Sequence, residues 1–282
     1  MSLTSEINNK NSAIRKWFES KFNSTIAKLL ANHNQIMAQQ PRILPSLKEV
    51  DFALCGHAVS YFLKKYLSLK TKDENWIYNT LAYAGAKMLN VEHIIEYCAT
   101  GDNALDSEAL KCILLGSLER YKRSGIKHEI LQPFLQGQNQ LNLETKYFKK
   151  WLPTIRDVSA IIESVPHSWH VVDDKVQGKI IPHATFTLSN YIGGADCLVC
   201  GDALIDIRTT VKRCPFTLEN FYQQISYVLL DYDDQYGIQQ LIWFYSRQDK
   251  CILLPHKQTL PRFAITKKRI QNHDFRKLQL RT

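Results

Sequence analysis

Apolar residues recur at three- and four-residue spacings from the start of the chain. Ile14, Trp17, Phe18, Phe22, Ile26, Leu29 and Leu30 form one stripe of a helix expected over Ser12–Gln39, which Pro41 and Pro45 break. The same periodicity predicts a helix over Asp51–Leu69, two more within Asp73–Ala99, a Leu-rich one over Ser107–Arg123 and another over Glu144–Ser164. After Pro166 the pattern changes. His170-Val171-Val172 reads as the start of a short strand, and Lys179–Leu188 as loosely extended. Ala195–Cys200 and Ala203–Thr209 read as strands joined at Gly201-Asp202. Ile238–Tyr245 and Cys251–Leu254 read as two more. Between these pairs, Pro215 and an N-capping Thr217 announce a helix over Thr217–Tyr232. The expected fold class is α/β, a mixed sheet preceded by helices.

Composition narrows this picture. With 282 residues, 45% of them hydrophobic, the chain is ordinary for a globular protein, and wholesale disorder is excluded. No run of eighteen apolar residues occurs, so no membrane partner is expected. Met1–Lys10 is polar and lacks the apolar stretch of a secretory signal. Seven scattered cysteines suit a reducing cytoplasm better than a disulfide framework. The net charge of +9 is uneven: Leu260–Thr282 holds seven Lys/Arg against one acid, hence +6, which leaves +3 for the rest. Such a basic tail is either a solvated terminus or a grip on phosphates.

Candidate chemistry centres on Gly193–Thr210. Asp196 and Asp206 interrupt apolar strands, where a carboxylate is costly unless paired or bound to a cation. Alternation along a strand points Leu204, Asp206 and Arg208 to one face. A two-residue turn at Gly201-Asp202 pairs Asp196 with Ile207 and puts the two acids on opposite faces. A three-residue loop sets Asp196 against Asp206 (loop 200–202) or Arg208 (loop 201–203). The acids are expected to share a face, through such a three-residue loop or a bulge at Gly193-Gly194 that re-aims the strand, with a divalent cation relieving their repulsion. The plain structural alternative is a same-strand ion pair between Asp206 and Arg208.

Asp196, a hairpin, then Asp206-Ile207-Arg208 resembles the PD-(D/E)xK nuclease superfamily, in which an Asp precedes an acid-x-Lys triplet on adjacent strands. On the following helix, Gln223 and Tyr227 match the Gln-x-x-x-Tyr signature of its RecB-like branch, and their four-residue spacing places both on one helix face. Gly56–Tyr61 takes the place of the branch's first helix, with Ser60 where an acid is often found. The resemblance covers chiefly Gly193–Leu254. It implies a restriction-endonuclease-like mixed-sheet core over 166–259. A mainly helical region, 1–165, precedes it, with the first core helix at 51–69 and a helical insertion, and a basic tail, 260–282, follows it.

It also implies a nuclease acting on DNA with Mg²⁺ or Mn²⁺ held by Asp196 and Asp206, in a bacterial defence or DNA-processing setting. Arg208 would contact the scissile phosphate, and Gln223 and Tyr227 would orient water or substrate. The helical region would supply DNA-binding surface or a protein interface. Arg208 stands where the family has lysine. Lysine can lose a proton when desolvated and arginine in effect cannot, so Arg208 replaces it only in steadying charge. With Ser60, this keeps open a degenerate nuclease fold that binds nucleic acid or protein without catalysis.

Other signals are weaker. A spacing of three sends Cys197 and Cys200 to opposite faces of a strand. His167, His170 and His183 with Asp173 and Asp174 fit no standard zinc spacing.

Overall fold

In a computed structural model, the chain is described over residues 3–100, 104–137, 146–173, 176, 178–186, 197–231 and 233–255. After a short α1 (Leu3–Asn8), the Ser12 hydroxyl accepts the Arg15 N–H and starts α2 (Ala13–Ala38). The Asp51 carboxylate caps α3 (Phe52–Thr71) by accepting from the N–H groups of Ala53 and Leu54. Next come α4 (Leu81–Leu89), α5 (His93–Ala99), α6 (Leu105–Ser124), two one-turn helices, α7 (Gln132–Leu135) and α8 (Lys146–Lys149), and then α9 (Leu152–Asp173).

The strand start expected at His170-Val171-Val172 is a correction: these residues lie in α9, which runs through Pro166 and past the expected boundary at 165/166. A proline inside a helix removes one hydrogen bond and crowds the preceding turn. Here Ile161, Ile162, Val165, Trp169 and Val172 bury one continuous stripe, and Trp169 meets Phe244 edge-on at 5.6 Å. Burial of that stripe, at about 1.5–3 kcal/mol per large side chain, outweighs the local preference.

Five strands follow: β1 (Ile180–Ala184), β2 (Cys197–Cys200), β3 (Ala203–Arg208), β4 (Gln240–Tyr245) and β5 (Lys250–Pro255), with α10 (Leu218–Leu230) between β3 and β4. They form one sheet in the order β1-β2-β3-β4-β5, antiparallel except for the parallel pair β3–β4. A parallel neighbour needs a crossover, and α10 supplies it. The Thr217 hydroxyl accepts the Asn220 N–H and the Asn220 side chain accepts the Thr217 N–H, a complete capping box at the start of α10.

The β2–β3 register, Leu198↔Ile205, Val199↔Leu204 and Cys200↔Ala203, closes the hairpin with the two-residue turn Gly201-Asp202. Of the two routes by which the acids could share a face, the three-residue loop is therefore corrected, and the bulge at Gly193-Gly194 lies outside the described residues. Gly201 takes the first central position with φ +57, as the favoured hairpin turns require. A Cβ on Gly178 would stand 2.6 Å from the Gly201 Cα, so β1 is entered only by glycine meeting glycine. Asp196 and its neighbours 187–195 lie outside the described residues, as does the basic tail.

Both faces of the sheet are covered. Leu198, Cys200, Ala203, Ile205, Ile242 and Phe244 join the core made with α3, α4, α5, α6 and α9. Cys197, Val199, Leu204, Leu241, Trp243 and Tyr245 join the core made with α1, α2 and α10. Cys197 and Cys200 thus face opposite ways. The helical first half is not an appendage, since it supplies cover on both faces of the sheet. Among the described residues, no helix is long and apolar enough to cross a membrane.

Candidate active site

Strand alternation puts Asp206 and Arg208 on the α10 side of β3, following Leu204. Arg208 folds back along its own strand. Its Nε donates to Asp206 Oδ2 at 2.7 Å, and its Nη2 lies 2.5 Å from the same oxygen. Nη2 also donates to Gln223 Oε1 at 3.0 Å. Gln223 Nε2 in turn donates to Thr4 Oγ1 at 3.0 Å, which ties the chain of contacts to α1. Gln224, fully buried, donates from Nε2 to the carbonyls of Leu204 and Ile242, at 2.9 and 3.0 Å, and fixes α10 across β3 and β4.

Beside this chain, Arg208 is paired in register with Tyr245 of β4. The Tyr245 hydroxyl is 2.8 Å from His33 Nε2, and the His33 ring stacks on Phe216 at 3.9 Å. Burial pushes His33 down to about 3, so the imidazole is neutral in the fold. Burial also raises the phenols of Tyr227 and Tyr245.

The Asp206 and Arg208 side chains are 19% and 25% exposed, partly open to a pocket of about 240 Å³. Burial raises the Asp206 carboxyl, and the charge and hydrogen bond of Arg208 oppose that rise without cancelling it. For Arg208, burial works against the charged form and the Asp206 carboxylate outweighs it, so the guanidinium is held above its ordinary value. The pocket gathers Asp206, Arg208, Gln223 and Tyr227 with Ser60 and Lys64 of α3.

The structure thus brings four of the five expected site residues together, and Ser60 with them. The fifth, Asp196, lies outside the described residues. Lys64 and Tyr245 were not expected. Lys64 had a sequence signal: it follows Ser60 by four residues, on the same helix face. Tyr245 had none, because only the parallel pairing of β3 with β4 sets it beside Arg208.

As a cation site, the described residues offer one carboxylate, and its Oδ2 already carries two guanidinium contacts. Mg²⁺ takes one or two protein carboxylates and completes its shell with water and substrate phosphate. Asp206 would be one such ligand only with Arg208 displaced from it. Among the described residues, no three His, Cys, Asp or Glu side chains gather as a metal site. In the loose His/Asp group, Asp173 is bound by Lys70 at 2.9 Å, and the His183 ring lies parallel to Trp76 at 6.2 Å. Asp174 lies outside the described residues. No protein-family model matches the chain, and no curated protein or solved structure matches it.

Proposed function

We propose that this pocket is a nuclease site of the PD-(D/E)xK kind, in a restriction-endonuclease-like core, and that the protein is a Mg²⁺-dependent nuclease-like protein acting on DNA. One observation carries the reading. Ser60, the Asp206/Arg208 pair and the Gln223/Tyr227 pair come from three separate stretches of chain, and all line one pocket. Only a functional pattern had linked them beforehand. A bound divalent cation would activate water and stabilise charge on the cleaved phosphodiester. Asp206 would be one ligand; the β2–β3 register sets position 196 opposite Ile207 and away from Asp206, so Asp196 would be the other only where the chain before Cys197 departs from that register. Arg208 would turn from Asp206 to the phosphate, where its fork suits bidentate contact. Gln223 would hold the guanidinium's other side, and the neutral Tyr227 would offer a hydroxyl to substrate or water. The basic stretch 260–282 would add phosphate contacts.

A second reading is favoured by the grip of Arg208 on Asp206. A guanidinium already neutralises the carboxylate, as in a degenerate nuclease fold that binds nucleic acid or a protein partner without cleaving. A cleavage assay on labelled DNA with Mg²⁺ or Mn²⁺ separates the two. The catalytic reading expects cleavage by the parent chain, a loss of about 100-fold or more in Asp206→Ala, and retained or higher activity in Arg208→Lys. Equal rates in parent and Asp206→Ala, or an Arg208→Lys variant as inert as Asp206→Ala, refute it. DNA binding at low salt with no heat of Mg²⁺ titration supports the second reading.

A further inference from the structure

Arg208 is held on Asp206 by a chain of contacts that ends outside the pocket. Arg208 Nε and Nη2 reach Asp206 Oδ2, Nη2 also donates to Gln223 Oε1 at 3.0 Å, and Gln223 Nε2 donates to Thr4 Oγ1 at 3.0 Å. The order of donors and acceptors matters. With its NH2 given to the Thr4 hydroxyl, the Gln223 carboxamide turns its oxygen to the guanidinium. The opposite orientation would set NH2 against N–H, donor against donor. Thr4 thus fixes the amide, and the amide fixes Arg208.

Thr4 is itself placed by the docking of α1. Leu3 and Ile7 of that helix are 2% and 1% exposed, in the core shared with α2 and α10. Arg15 of α2 donates from Nη1 to the Ile7 carbonyl at 3.1 Å and to Glu219 Oε1, in the first turn of α10, at 2.7 Å. The Ser12 hydroxyl donates to the Glu6 carbonyl at 2.6 Å. These contacts seat α1 on the helix that carries Gln223. Yet α1 buries only two side chains along its six residues, which makes it the kind of element that opens locally while the rest of a fold stands.

We propose that α1 is a latch on this pocket: Thr4, acting through Gln223, is the positioning residue that keeps Arg208 on Asp206, and so withholds the carboxylate from a cation and the guanidinium from a phosphate. The inference rests on the nuclease reading for what the pocket takes, and adds what restrains it. For Arg208 to turn to a phosphate with Gln223 still on its other side, the amide must follow, and the Thr4 bond resists that. A contact made only in the closed arrangement opposes any ligand that needs the open one. One exposed, neutral hydrogen bond shifts that equilibrium by about 2- to 10-fold.

The test follows the Arg208 Nε–H in the full-length, ¹⁵N-labelled protein, its signal assigned by its absence from Arg208→Lys. Hydrogen exchange of this group with water reports how often the guanidinium leaves Asp206. Thr4→Val keeps the shape of the side chain and removes the hydroxyl, and is expected to speed exchange about 2- to 10-fold. Gln223→Leu should speed it at least as much, and adding Thr4→Val to it should change nothing further, because Thr4 acts only through Gln223. Thr4→Ser, which restores the hydroxyl, should exchange at the parent rate. A merely structural Thr4 would lower Tm in Thr4→Val and leave the exchange unmoved. If Thr4→Val does not fold, Thr4→Ala makes the same comparison. Mn²⁺ titration of the same proteins, with Asp206→Ala as the blank, should show binding tightened in Thr4→Val by the same factor. A Thr4→Val protein that exchanges at the parent rate, or binds Mn²⁺ no tighter than a parent that binds it, overturns the latch and leaves the nuclease reading standing. Faster exchange in Thr4→Val, with no Mn²⁺ bound by parent or variant, supports the hold of Thr4 on Arg208 and overturns the catalytic reading.

Discussion

The turn between β4 and β5 is anchored by a fully buried ion pair, and breaking it is expected to unsettle both the fold and the pocket. Arg247 is 1% exposed and Asp157, on α9, 2%. The guanidinium meets the carboxylate as a fork, with Nη1 donating to Oδ1 at 2.9 Å and Nη2 to Oδ2. Arg247 Nη1 also donates to the Ile43 carbonyl, and Cys55 Sγ–H donates to Asp157 Oδ2 at 3.1 Å. Burial raises the Cys55 thiol, and the neighbouring Asp157 charge raises it further. Asp157→Leu leaves the guanidinium buried without its counter-charge, at a cost of about 3–5 kcal/mol. That is a large share of the roughly 5–15 kcal/mol that holds a typical domain, and corresponds to a fall in Tm of about 6–20 °C.

Arg247→Met should cost about the same, and the two together much less than their sum, because an apolar pair of similar volume removes both desolvation penalties. Urea unfolding of parent, both single variants and the double variant closes the cycle. Singles that lose under about 1 kcal/mol, or a double that loses the full sum, refute the reasoning. The effect should reach the pocket, because the Ser246 N–H, next to Arg247, donates to the Arg208 carbonyl at 3.0 Å.

Two further outcomes are expected. His33 is held neutral down to about pH 3, whereas the unfolded chain takes up the proton near 6.5. Between those values the unfolded state binds more protons, so stability falls as pH is lowered, by up to about 1.4 kcal/mol per pH unit from this residue. His33→Gln should flatten the slope of urea midpoints between pH 7 and 4, and an unchanged slope counts against the assignment. Gly85→Ala would put a Cβ 2.1 Å from the Leu118 carbonyl oxygen, where α4 and α6 cross backbone to backbone. Thermal unfolding should show a loss of about 1–3 kcal/mol, and full tolerance would mean that the helices do not meet there.

Much of the site was legible along the chain. Asp206 and Arg208 share a face because strand alternation is local, and Gln223 and Tyr227 share one because four residues make about one helical turn. The cap at Thr217 was readable for the same reason, since a capping side chain bonds a backbone N–H two or three residues on, and the expected helix starts at Ser12 and Asp51 prove to be caps of the same kind. The hairpin's two-residue loop departs from the three-residue loop that two acids sharing a cation would need. The turn follows instead from the backbone preference of Gly201 and the close approach of Gly178. The burial of Lys64 was not legible, because a lysine on an amphipathic helix usually faces solvent and only packing shows when it does not.

Local periodicity and capping chemistry therefore determined most of the element types, the order of strands and helices after β1, and the pairs of residues that act together within one element. Those depend on contacts a few residues apart, which spacing records directly. Tertiary packing alone decided that α9 passes through Pro166, that β3 and β4 run parallel with Tyr245 beside Arg208, that Arg208 binds Asp206 and Gln223 at once, and that Lys64 enters the pocket. Each depends on apolar area buried, or charges met, between segments far apart in the chain, where burial and pairing outweigh local preference.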